Sequence, residues 1–231
     1  MCTLTWEILP GGYELHFNRD ESRLRAKAIP PEISIKSKTS VIMPRDPEAG
    51  GTWISLNEYG VGLCLLNNYQ AERTHPGSLS RGLLVNAISL SSSTLEATRL
   101  MADQDVSAYS PFDLLIFSPD EQTLRISWNG HKLTRSSPTD PFLSSSGFDT
   151  ETVIAGRKAQ FQQFANPVLA DFHQSHIPAR SAYSVCMHRD DAQTLSYSKL
   201  RVDRDLCSFW YADGPPCSAD LQAPLTLNRS I

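Results

Sequence analysis

Two short stretches of this sequence hold residue types that could do chemistry together, Met1-Cys2 at its start and Asn18-Arg19-Asp20-Glu21 further on. If Met1 is trimmed, Cys2 carries a thiol and an α-amine on the same carbon. An α-amine has a reference pKa of about 8, so near neutral pH its unprotonated form can accept the thiol proton, and a thiol needs little help to become a nucleophilic thiolate. A guanidinium nearby favours thiolate, and a carboxylate can orient the α-ammonium or take its protons. Cys2 is therefore the candidate nucleophile, with Arg19 and Asp20 tuning it.

The elements that must position these groups can be read from the pattern. Thr3, Thr5 and Glu7 alternate with Leu4, Trp6 and Ile8, the period of a half-buried strand, and Pro10-Gly11-Gly12 supplies a turn before a second run from Tyr13 to Phe17. A hairpin of these runs returns Asn18, Arg19 and Asp20 to the strand end that carries Cys2. A second hairpin is predicted from Thr52–Leu56 and Val61–Leu66 around Asn57-Glu58-Tyr59-Gly60, with Gly60 at positive φ, and Gly50-Gly51 permits close backbone approach just before Trp53. This hairpin ends in Asn67-Asn68-Tyr69. Thiolate attack on an acyl carbon creates an oxyanion that a side-chain amide can hold. Asn67 or Asn68 is the candidate donor, and only one of them can face the site if the strand is regular.

The ordered set Met1-Cys2, Asn18-Arg19-Asp20-Glu21, Gly50-Gly51-Thr52-Trp53, Leu66-Asn67-Asn68-Tyr69 and Ser80-Arg81-Gly82 resembles the NRDE family, also called the transport and Golgi organisation 2 (TANGO2) family. The resemblance is densest through Gly82. It implies an α+β fold, a four-layer αββα sandwich of the N-terminal-nucleophile hydrolase type with two stacked antiparallel sheets, similar to the choloylglycine hydrolase and penicillin V acylase group. In that group an Arg late in the chain lies in the active site, and Arg189 is the nearest counterpart here. Animal members of the family are linked to haem handling and lipid homeostasis.

Length and composition bound the rest. With 231 residues, 40% hydrophobic and 20% charged, the chain suffices for one sizeable core, and one domain over 1–231 is expected. No apolar stretch approaches the roughly 20 residues of a membrane span, and no signal-peptide pattern is present, so a cytoplasmic location is the default expectation. A net charge of −4 does not favour nucleic-acid binding. Residues 19–38 nevertheless carry a local basic excess, in which Arg23, Arg25 and Lys27 could attract an anionic ligand. Five cysteines without a CxxC pair argue against a disulfide framework or structural zinc, and Cys64, Cys186, Cys207 and Cys217 read as small buried hydrophobes. His173 and His176 have a helical metal-ligand spacing, but no third ligand is evident from sequence, so no metal and no cofactor are expected.

Further expectations concern the connecting segments. Residues 22–49, rich in proline, read as a long loop over the site with a short strand at Ile33–Ile35, and residues 214–231 as a loosely held tail. Ser93-Thr94-Leu95-Glu96 reads as a capping box, Asn129-Gly130 as a two-residue hairpin link, Thr152–Ala155 as a short strand, and the stretch from Arg157 through Phe161, Phe164, Val168, Leu169 and Phe172 as a helical layer broken at Pro167. The expected catalytic set is Cys2, Arg19, Asp20, Asn67 or Asn68, and Arg189. The expected substrate-binding set is Asn18, Trp53, Tyr69 and Arg23. Two functions fit: hydrolysis or transfer at an amide or other acyl bond of a small molecule, or non-catalytic carriage of haem or another amphipathic ligand.

Overall fold

The structure is a computed structural model that describes residues 1–71, 77–163 and 169–230. The first two strands, β1 (Cys2–Leu9) and β2 (Gly12–Ser22), form the expected antiparallel hairpin, with Cys2 opposite Arg19 and Leu9 opposite Gly12. Strand alternation sorts the side chains onto two faces. Cys2, Leu4, Trp6, Tyr13, Leu15 and Phe17 enter one apolar core, whereas the side chains of Thr3, Thr5, Asn18 and Asp20 make polar contacts on the other face.

Later strands extend this hairpin on both sides and build a second sheet. They are β3 (Ile29–Lys36), β4 (Thr39–Arg45), β5 (Ile54–Asn57), β6 (Gly62–Asn67), β7 (Phe112–Phe117), β8 (Leu124–Trp128), β9 (Leu133–Ser136), β10 (Phe142–Ser145), β11 (Ala192–Val202), β12 (Leu206–Ala212) and β13 (Leu225–Asn228). Among the described residues they make one sheet in the order β10-β1-β2-β11-β12-β13 and a second in the order β3-β4-β5-β6-β7-β8-β9. The pairs within both sheets are antiparallel.

Three apolar clusters explain the layers. Leu4, Trp6, Leu15 and Phe17 of the first sheet meet Ile54, Leu56, Leu66, Leu115 and Phe117 of the second, with the Trp6 and Phe117 rings edge to face at 5.5 Å. The outer face of the second sheet, through Leu63, Leu65, Leu114 and Ile116, is covered by α1 (Gly82–Ile88) and α2 (Thr94–Ala102). The outer face of the first is covered by α3 (Thr150–Gln163) and α4 (Leu169–Gln174), where Phe142, Phe161 and Phe172 pack. Burial of an apolar face on each side of each sheet yields the αββα sandwich. No described helix is long and apolar enough to cross a membrane.

Several connecting segments differ from their sequence reading. Residues 22–49 are not one loop: β3 and β4 pair across them, and Val41 and Ile42 are fully buried. Prolines hid this, yet Pro30 and Pro31 lie on the edge strand of the sheet, beside a register shift between Ile29 and Glu32, where a missing N–H is tolerated. The tail is also held, because β13 pairs with β12 and the Ser230 N–H donates to the Glu58 carbonyl. Thr152–Ala155 belongs to α3 rather than a strand. The Asn129-Gly130 link is longer than two residues, since Trp128 pairs with Leu133 and the Asn129 carboxamide oxygen caps the N–H groups of His131 and Lys132. The capping box forms with a shift: Ser93 Oγ accepts from the Glu96 N–H, but the Glu96 carboxylate accepts from Ser92. Phe164, Pro167 and Val168 lie outside the described residues.

Candidate active site

The geometry around Cys2 follows from strand pairing. Met1 and Asp20 exchange both main-chain hydrogen bonds, at 2.9 and 2.8 Å. Cys2 and Arg19 therefore form the next, non-hydrogen-bonded pair, in which side chains stand closest. On the opposite side Cys2 pairs with Ser145 of β10, whose buried hydroxyl has no hydrogen-bond partner among the described residues. Burial pushes the Cys2 thiol up to about 11, an effect that the Met1 ammonium and Arg19 only partly offset. With Met1 in place the thiol is protonated at neutral pH.

Arg19 is rigidly placed. Its guanidinium donates to Asp46 at 3.1 Å and lies over the Trp53 ring at 4.2 Å. The same Asp46 oxygen accepts from Arg25 at 2.9 Å, while its second oxygen accepts the N–H groups of Glu48 and Ala49. Asp46 therefore anchors both arginines on one side of the site.

A cavity of about 410 Å³ opens over Cys2 and is lined by Arg19, Thr52, Trp53, Asn67, Ser80 and Arg81, among others. Its far wall depends on two glycines. A Cβ on Gly51 would lie 2.7 Å from the Gly82 Cα, and one on Gly82 would lie 2.8 Å from the Thr52 nitrogen. That close approach lets the Thr52 N–H donate to the Gly82 carbonyl at 3.1 Å, bringing the start of α1 against the start of β5. The Gly50-Gly51-Thr52-Trp53 and Ser80-Arg81-Gly82 motifs thus meet on one rim.

The two asparagines are sorted by register. Asn67, the last residue of β6, lines the cavity and donates one amide N–H to the Tyr69 hydroxyl at 2.8 Å. Asn68 turns away, its carboxamide oxygen accepting the N–H groups of Gln70 and Ala71 in a side-chain-closed turn.

Other expected residues sit elsewhere. Asp20 has its side chain on the face of β2 opposite Arg19, where the carboxylate accepts from Thr194 at 2.7 Å and from Arg157 at 3.3 Å. Its main chain holds the N-terminus, and its charge raises the Cys2 thiol rather than lowering it. Asn18 is buried beneath α4, donating to the His173 and Val185 carbonyls and bonding the His173 ring at 3.0 Å, so it cannot reach a substrate in the Cys2 cavity. Arg189 pairs with Asp191 at 2.8 Å and lies over Phe148, and its carbonyl accepts from Arg23. Arg23, Arg189 and Tyr69 line a neighbouring cavity of about 540 Å³ that shares Met1, Asp20 and Glu21 with the first. His173 is enclosed between Thr5 and Asn18, and burial keeps it well below its ordinary pKa. It does not share a site with His176.

Sequence reasoning missed Arg157. This side chain is fully buried in α3, and it donates to Thr3 at 2.8 Å, to Ser144 and Asp20 at 3.3 Å, and to the Ala182 carbonyl at 3.2 Å. A signal existed, since Val153, Arg157 and Gln160 recur at helical spacing on the inward face. Asp46 and Ser145 had none, because an Asp between prolines reads as a turn and a Ser in a serine run reads as a loop.

Two antiparallel sheets between helical layers, with a cysteine at the start of the first strand facing a cavity, define the N-terminal-nucleophile hydrolase class of fold. Solved structures agree. A Caenorhabditis elegans N-acylethanolamine-hydrolyzing acid amidase superposes with a TM-score of 0.61 at 10% identity, covering 98% of this chain and 100% of that one. Two mutant forms of the conjugated bile acid hydrolase from Clostridium perfringens superpose at 0.56 and 0.55, with 12% and 13% identity, each covering 100% of this chain and 97% of theirs. Residues 1–202 match the transport and Golgi organisation 2 family, and the chain belongs to it. No curated protein matches the sequence.

Proposed function

We propose that this protein is an N-terminal cysteine hydrolase or acyltransferase acting on an amide or other acyl bond of a small molecule, with Cys2 as nucleophile once Met1 is removed. The observation that carries the reading is convergence: Cys2, Arg19, Thr52-Trp53, Asn67 and Ser80-Arg81 come from distant parts of the sequence and line a single cavity. Its volume, about 410 Å³, falls in the range of small-molecule sites. The similar N-acylethanolamine-hydrolyzing acid amidase, by its name, cleaves an amide, and the similar conjugated bile acid hydrolase is by its name a hydrolase, which supports the reaction class.

Removal of Met1 has two effects in this reading. It leaves an α-amine on Cys2, and it takes away a side chain that lines both neighbouring cavities, enlarging the space for an acyl chain. The Cys2 amine takes the thiol proton, and Sγ attacks the acyl carbon. Charge develops on the carbonyl oxygen, where the second N–H of the Asn67 amide, not engaged by Tyr69, donates. The amine then returns the proton to the leaving nitrogen, the C–N bond breaks, and a thioester remains. Water, deprotonated by the same amine, adds to the thioester and releases the acid and the thiol; another acceptor in place of water gives acyl transfer. Arg19, pinned by Asp46 and Trp53, is a fixed positive charge beside the sulfur.

The test is a panel of N-acyl amides of graded chain length incubated with the Met1-free chain, read by product formation and intact mass. Turnover with a transient acyl adduct on Cys2, absent in Cys2→Ala, is the expected result. Ligand binding without turnover, unchanged in Cys2→Ala, would favour the carrier function instead.

A further inference from the structure

Away from the Cys2 cavity, four side chains with metal-binding atoms converge, of which only His176 stands at a metal-ligand spacing in the sequence. They are His176 just after α4, Cys186 and His188 on the segment that leads into β11, and Cys217 from the segment after β12. Their ligand atoms all lie within 4.8 Å of one another.

Local structure explains the convergence. The Cys186 N–H donates to the Ser175 carbonyl at 3.0 Å, which sets Cys186 beside His176. His188 follows two residues later and bridges to Gln193 ahead of the long strand. Pro215-Pro216 then directs Cys217 back onto this group, and the Arg180 guanidinium stands 3.7 Å from the Cys217 sulfur.

Hydrogen bonding, which also links Cys217 to Cys186, accounts for only part of the cluster. His188 Nε2 lies 3.6 Å from the Cys186 sulfur and 3.5 Å from the Cys217 sulfur, although one ring nitrogen has a single lone pair or a single hydrogen. His176 Nε2 is buried and has no hydrogen-bond partner among the described residues, and its ring lies 5.1 Å from that of His188. A tetrahedral ion accounts for the unpartnered His176 nitrogen and for both contacts of His188. With Zn–S near 2.3 Å and Zn–N near 2.0–2.1 Å, the sulfur-to-nitrogen edge of the tetrahedron is about 3.6 Å, which matches both separations.

We propose that His176, Cys186, His188 and Cys217 form a site of two thiolates and two imidazoles for a borderline-soft divalent cation of the zinc class. Binding releases the two thiol protons to solvent and uses neutral nitrogens of both imidazoles. Four protein ligands fill the coordination sphere, so the site is structural rather than catalytic. It staples the Pro215–Cys217 segment to the 175–188 stretch. That stretch supplies the Ala182 carbonyl to Arg157, the Val185 carbonyl to Asn18 and the Met187 N–H to Thr194, which in turn holds Asp20. The ion thus braces the layer behind the Cys2 strand. Cys217 lies beyond the residues that match the family, so the complete ligand set is not a property of the matched region.

The test uses the full chain without a histidine tag, kept reduced, with zinc content measured after gel filtration and cobalt(II) titrated into stripped protein. About one tightly held zinc per chain is expected, together with the strong visible bands of tetrahedral cobalt and sulfur-to-cobalt charge transfer in the near ultraviolet. Cys217→Ser, on a partly exposed segment, should lose at least about a hundredfold in affinity, since outer-shell changes alone cost up to that much. His131→Gln, in an exposed turn, should lose none. The cobalt spectrum of the unsubstituted chain decides the matter even if a variant misfolds. Octahedral cobalt bands, metal displaced by salt, or undiminished affinity in Cys217→Ser would overturn the proposal. So would a Cys186–Cys217 disulfide that forms in the presence of excess zinc.

Discussion

Replacing Arg157 with Leu should show how much of this fold rests on one buried charge pair. The Arg157 guanidinium and the Asp20 carboxylate are both wholly inaccessible and 3.3 Å apart. Arg157 also donates to Thr3, Ser144 and the Ala182 carbonyl, linking β1, β10 and the 175–191 segment to α3. Leucine fills part of the volume but leaves the Asp20 carboxylate with Thr194 as its remaining side-chain donor. Breaking a buried pair from one side costs about 3–5 kcal/mol, because an uncompensated charge stays behind. At roughly 2–4 °C per kcal/mol for a chain of this size, the melting temperature should fall by about 6–20 °C. The assay is thermal and urea unfolding of the single variant, of Asp20→Asn and of the double variant. Since most of the loss is the stranded charge, the double variant should be more stable than the sum of the two singles predicts, by about 1–3 kcal/mol. A loss under about 1 kcal/mol for Arg157→Leu, or strict additivity, would refute the reasoning.

Other consequences can be checked alongside. Asn67→Ala should lower kcat for an acyl substrate by about 10²–10³-fold, whereas Asn68→Ala, which loses only a turn contact, should change kcat by less than about threefold. Gly51→Ala should destabilise by about 1–3 kcal/mol and slow the reaction, because the new methyl group meets the Gly82 backbone; an unshifted urea midpoint would contradict the packing. Glu14 resists burial through hydrogen bonds from His16 and Lys199, which hold its carboxyl at about 2 against an ordinary 4.5. A depressed carboxyl contributes stability above its unfolded pKa and loses it as the pH falls through the folded one. Unfolding free energy should therefore decline between pH 4.5 and about 2, and Glu14→Gln should flatten that slope.

The parts of this fold legible in the sequence are those where one physical signal acts alone. Period-two alternation from Thr3 to Ile8 and the Pro10-Gly11-Gly12 turn determine the first hairpin, and with it the pairing of Cys2 and Arg19. Tyr59-Gly60 behaves likewise, with Gly60 at φ 76°. The signal fails where two rules compete. Pro30 and Pro31 argue against a strand, but an edge position removes the objection. Asp20 stands next to Arg19 in sequence, yet alternation sends their side chains to opposite faces, one toward Trp53 and the other toward Arg157. Long-range convergence leaves no local trace at all: nothing about Asp46 predicts Arg19, and nothing about Cys217 predicts His176.

The central claim, an N-terminal cysteine with its own base, is met most directly by the intact mass of the untagged chain before and after brief alkylation at neutral pH. A mass short by one methionine residue, with Cys2 alkylated well before the buried Cys64 and Cys207, is the predicted result. Retention of Met1, with Cys2 as slow as those two core thiols, would contradict it, because the thiol would then stay near its buried pKa of about 11.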